Sequence, residues 1–105
     1  MQIELEGATG NQQRRIDLVT GRTFYLHCQG DRGFEDLTVV WYYGDEAVPV
    51  VSISDSNRLM RYAYLEERQW TLVLVNFTGG YVGLYKCQGI GNDVATITVG
   101  EGMTL

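Results

Sequence analysis

The chain has 105 residues, 45% hydrophobic and 20% charged, which predicts one ordered domain over 1–105 built on a single core. A net charge of −5, with scattered arginines and Lys86 as the single lysine, excludes the basic surface that nucleic acid or an anionic membrane requires. No apolar run approaches the roughly 20 residues of a membrane helix.

The opening "MQIELEGATG" carries acids where a secretory signal has a basic start and an apolar centre. A secreted or surface form is therefore expected to be a mature fragment, without signal peptide or transmembrane segment. Thirteen glycines and one proline then cut the chain into short runs rich in Val, Ile, Thr, Tyr and Phe. The predicted strands are 3–6, 16–19, 23–29, 38–43, 48–53, 61–65, 70–75, 83–88 and 94–99, with "EGATGNQQRR" as a crossing between the first two. "NRLMRYAYLEER" comes nearest to a helical period, but Tyr62 and Tyr64 followed by "EERQ" read as a strand entering a turn. Strands this short and close predict an all-β sandwich or barrel.

Alternation sorts the faces. Phe24, Leu26 and Cys28 share one side of their run, with Thr23, Tyr25, His27 and Gln29 on the other. Trp70, Leu72 and Leu74 share a side, as do Tyr85 and Cys87. Both cysteines thus lie among bulky side chains, where a staple between packed sheets sits and where a substrate does not meet a thiolate.

Catalytic and metal-binding readings fail on inventory. His27 and Cys28 are adjacent on a strand and point to opposite faces, so they cannot form a nucleophile pair. His27 is the only histidine and is expected at the surface. The loop acids Asp31, Glu35, Asp36, Asp45 and Glu46 lack the regular spacing of a calcium loop. No Ser/His/Asp set, phosphate loop or carboxylate pair can be assembled. No enzyme activity, metal or cofactor is expected.

One constellation remains. Gly21, Leu26 and Cys28 in "GRTFYLHC", Trp41 thirteen residues further on, and Leu72, Leu74, Phe77, Gly83, Tyr85 and Cys87 resemble an immunoglobulin-superfamily domain over nearly the whole chain. The resemblance implies a two-sheet Greek-key sandwich in which Cys28 and Cys87 bridge the sheets. It also implies that Trp41 packs on the bridge and that the Tyr85 hydroxyl makes a tyrosine corner. The separation of the cysteines, 59 residues, lies between the compact intermediate-type and longer variable-type domains. One position departs from the pattern: Tyr81 stands where the family has an aspartate, which leaves Arg58 or Arg61 without its usual partner. Within the superfamily, "TFYLHCQG" and "LVLVNFTGGYVGLYKC" look like the membrane-distal domains of platelet-derived growth factor receptor type receptors, at framework positions that many adhesion molecules share.

"NFT" at Asn76 is a glycosylation sequon, expected at the turn after the 70–75 strand, with its glycan shielding Val73 and Val75. In the resembled fold the 38–43, 83–88 and 94–99 strands are neighbours. Val40, Tyr42, Leu84, Lys86 and Gln88, flanked by Val94, Thr96 and Thr98, are therefore expected to form one outward, partner-binding surface. The expected function is protein–protein recognition by an extracellular domain of a cell-surface receptor or adhesion protein. Its partner would be a ligand, a like domain or an adjacent domain of the same chain. The alternative is a structural spacer in a multidomain ectodomain or an intracellular filament-type protein.

Overall fold

The computed structural model describes residues 2–6, 14–29, 39–51, 60–66, 69–89 and 93–102. In chain order the strands are β1 Gln2–Leu5, β2 Arg15–Leu18, β3 Phe24–Gln29, β4 Val40–Tyr43 and β5 Glu46–Ala47. They continue with β6 Arg61–Glu66, β7 Gln69–Leu74, β8 Gly83–Gln88 and β9 Val94–Glu101, and a 3-10 turn at Gly79–Tyr81 precedes β8. The strands form two sheets, β1-β3-β7-β6 and β2-β9-β8-β4-β5. The ladders among the described strands are antiparallel, except that β2 runs parallel to β9. Within "NRLMRYAYLEER" (57–68), Arg61–Glu66 form strand β6 and not a helix.

The inner faces carry the residues that alternation selects. Leu26, Cys28, Leu72 and Leu74 from one sheet meet Trp41, Tyr85, Cys87, Ile97 and Val99 from the other, with Phe77 closing one end. Burying each such side chain is worth about 1.5–3 kcal/mol. Cys28 and Cys87 are disulfide-bonded across the sheets, their Cα atoms 6.4 Å apart. Trp41 pairs directly with Cys87 in the β4–β8 ladder, and its indole Nε1 donates to the Trp70 carbonyl at 3.3 Å. Trp41, Leu72 and Tyr85 are all fully buried.

Two expectations need correction. The 48–53 run is not a strand where it is described. Val48 donates its last ladder bond to the Trp41 carbonyl, and Pro49 has no N–H with which to continue. The chain instead crosses to the other sheet, where the Pro49 carbonyl accepts from Ala63 and Val51 donates to the Ala63 carbonyl. Positions 52 and 53 lie outside the described residues, as do Asp31, Glu35, Asp36, Arg58 and most of the early crossing. Val73, in turn, is outward but not available to be shielded. It is 1% exposed, because Tyr25 on β3 and Tyr62 on β6 flank it in register.

Candidate recognition face

Setting Trp41 opposite Cys87 fixes the register of the whole outer face of the five-stranded sheet. One residue along, Tyr42 stands opposite Lys86, which stands opposite Thr96. The neighbouring row is Val40, Gln88 and Val94. On the other side lie Leu84, Thr98 and Arg15. The structure thus brings all five predicted face residues, with Val94, Thr96 and Thr98, onto one surface. Leu84 is 49% exposed and Val94 44%, while Val40, Tyr42, Lys86 and Gln88 are half-buried.

The face is ordered by its own contacts. Lys86 Nζ sits over the Tyr42 ring, 4.7 Å from its centroid, so the ammonium and the ring restrain each other. At the β2 edge Arg15 and Asp17 are paired at 3.2 Å. They lie across Gly100 of β9, where any side chain would meet both of them. Between that pair and β5 the outward residues named above include no carboxylate, in a chain whose net charge is −5. Such a surface offers contact area and hydrogen-bonding groups.

The end of the sandwich that holds Asn76 carries a cluster that composition and spacing did not reveal. Arg61, at the start of β6, lies 4.0 Å from the Tyr43 ring centroid, 5.3 Å from that of Tyr81 and 5.9 Å from that of Tyr85. Its Nη2 donates to the Gly80 carbonyl at 3.2 Å. Tyr81 therefore replaces the missing carboxylate with an aromatic face, and its hydroxyl donates to the Val75 carbonyl. The Tyr85 hydroxyl donates to the Tyr81 carbonyl at 2.6 Å, completing the tyrosine corner. Burial pushes the Tyr85 phenol up to about 12, against the opposing pull of Arg61. The signal was present in the register: two residues beyond the Trp41–Cys87 pair, Tyr43 must face Tyr85.

A second unforeseen grouping lies on the outer face of the four-stranded sheet. His27 Nδ1 is 2.8 Å from Thr71 Oγ1, and its Nε2 is 3.3 Å from Glu6 Oε1. An acid, an imidazole and a hydroxyl in line resemble a hydrolytic relay. Thr71 is only 2% exposed, so its hydroxyl cannot reach a substrate, and the set is a structural clamp. His27 is correspondingly half-buried rather than a free surface residue. Among the described residues no three or more His, Cys, Asp and Glu side chains converge on a metal position. Both cysteines are held in the disulfide.

No protein-family model matches the chain, and no curated protein matches it. Solved structures do. Dpr11 IG1, in its complex with DIP-gamma, aligns with a TM-score of 0.65 at 18% identity, over 86% of this chain and 99% of that one. Dpr1 IG1 bound to DIP-eta IG1 gives 0.64 at 18% identity, over 95% and 96%. The fold is immunoglobulin-like. Domain I81 of titin also aligns, with a TM-score of 0.59 at 14% identity over 85% of this immunoglobulin-like chain and 88% of its own. Identities this low carry the fold alone, and immunoglobulin-like domains serve many roles.

Proposed function

We propose that this immunoglobulin-like domain is an extracellular recognition module that binds another protein through the outer face of its five-stranded sheet. The carrying observation is the stacked Tyr42–Lys86 pair set between exposed Leu84 and Val94 on a face whose outward residues on β4, β8 and β9 bear no acid. Tyrosine offers a large contact area with little side-chain freedom to lose, and the pre-stacked lysine lowers that cost further. The disulfide favours an oxidising compartment, and hence the cell surface or extracellular space. Two similar structures, Dpr11 IG1 with DIP-gamma and Dpr1 IG1 with DIP-eta IG1, are protein–protein complexes, which supports the reading by analogy. The narrower likeness to platelet-derived growth factor receptor type domains rests mainly on Leu26, Cys28, Leu72, Leu74, Tyr85 and Cys87. These lie in the core and carry no ligand preference.

The test is a panel of cell-surface ectodomains, this domain among them, offered to the immobilised chain. For a partner so found, Tyr42→Ala and Leu84→Asp are expected to weaken binding by about tenfold or more while leaving the melting temperature nearly unchanged. Undiminished binding by both variants contradicts the face. The likeness to titin I81 favours a second reading, a structural spacer without a ligand of its own. That reading predicts no partner in the panel.

A further inference from the structure

We infer that Asn76 is an N-glycosylation site whose proximal sugar lies over Met60 and Gly80, at the end of the sandwich and off the recognition face. The inference rests on the extracellular reading above, because the acceptor reaction belongs to the secretory pathway. Three observations support it. Asn76 is exposed in the turn after β7, with a left-handed backbone (φ 48°) that asparagine tolerates better than most residues. Its backbone N–H donates to Thr23 Oγ1 at 3.2 Å, which fixes the turn. The middle residue of the sequon, Phe77, is fully buried, and its backbone exchanges two bonds with the Gly21–Arg22 segment: Gly21 donates to the Phe77 carbonyl and Phe77 donates to the Arg22 carbonyl. With Phe77 anchored inward, Asn76 and Thr78 on either side are held in solvent, and the Thr78 side chain makes no capping bond.

The third observation is the surface beside the sequon. Val75 donates to the Met60 carbonyl at 2.8 Å, so Met60 adjoins the turn, and the residue is 50% exposed. The Met60 methyl and the Thr78 hydroxyl both flank Gly80, lying 3.8 and 3.7 Å from where a Cβ would stand. Gly80 thus makes a small floor, with a thioether on one side and the sequon threonine on the other, while the Glu101 carboxylate lies against the neighbouring Gly79. A flat pyranose face fits over Gly80 and covers the exposed Met60. No residue of the proposed recognition face belongs to this floor.

The chemistry is ordinary group transfer. The Asn76 Nδ2 attacks the anomeric carbon of an oligosaccharide carried on a lipid pyrophosphate, supplied by the secreting cell. A C–N bond forms, the C–O bond to the pyrophosphate breaks, the lipid pyrophosphate leaves, and the amide gives up one proton to the transferase.

The experiment uses the chain secreted from eukaryotic cells behind a supplied signal peptide, as parent, Asn76→Gln and Thr78→Ala. Treatment with a peptide-N-glycosidase should lower the mass of the parent and leave both variants unchanged. Dilute hydrogen peroxide should then oxidise Met60 several-fold more slowly in the glycosylated parent than in Asn76→Gln, read by peptide mapping against free methionine. An unchanged parent mass on secreted, disulfide-bonded protein overturns the site. Equal Met60 oxidation in the two forms overturns the placement of the sugar. Neither result bears on binding by Tyr42 and Leu84, so the recognition reading stands or falls separately.

Discussion

Arg61 meets three tyrosine rings where the resembled pattern supplies a carboxylate. Each ring face attracts the guanidinium, and the Gly80 carbonyl takes one N–H. Arg61→Ala is expected to cost about 1–2 kcal/mol, measured as a drop in urea midpoint. Tyr81→Asp restores the usual carboxylate but removes a buried ring that packs 5.6 Å from Phe77, so it should also destabilise. The Tyr85 phenol has a pH signature. Its folded value of about 12 exceeds the ordinary 10.0, so the unfolded chain loses the proton first and the contribution to stability disappears as pH rises from 10.0 toward 12. The stability gap between the parent and Tyr85→Phe should therefore narrow from about pH 8 to about pH 11, and a constant gap contradicts the assignment.

At the scale of the element, β7 shows why alternation gives direction but not burial. Val73 points away from the core, yet Tyr25 and Tyr62 close over it from the flanking strands. Direction follows from the sequence of one strand, whereas cover depends on two others and on their register. Val73→Ala is accordingly expected to cost about 2 kcal/mol, as in a core, against the roughly 0.5 kcal/mol of an ordinary surface site. Thermal or urea unfolding distinguishes the two. The 48–53 run failed for a related reason. Its β-branched residues suggested a strand, but Pro49 ended the ladder with β4 and sent the chain to β6. Elements anchored by a residue with a unique partner were legible throughout. Trp41 and Cys87 set the β4–β8 register, and with it the placement of Tyr42 beside Lys86.

For the whole molecule, the disulfide joins the two sheets at the centre of the core. Replacing Cys28 and Cys87 together by alanine should lower stability by about 4 kcal/mol if the bridge acts by restricting the unfolded chain. The framework of the domain could be read because its signature residues must lie inside whatever the protein does. The recognition face could be read only as a set of outward positions, since a partner leaves no periodic mark on a sequence. What the structure adds is the Tyr42–Lys86 stack and the exposure of Leu84 and Val94. The most direct measurement is the affinity of a panel-identified partner for the parent, for Leu84→Asp and for Glu4→Arg. Glu4 is exposed in β1 of the opposite sheet and faces the same side as His27. The expected result is a loss of about tenfold or more for Leu84→Asp with Glu4→Arg binding like the parent. Parent-like binding by Leu84→Asp, with loss on Glu4→Arg or on substitution within "GIGND" (89–93), would contradict the face.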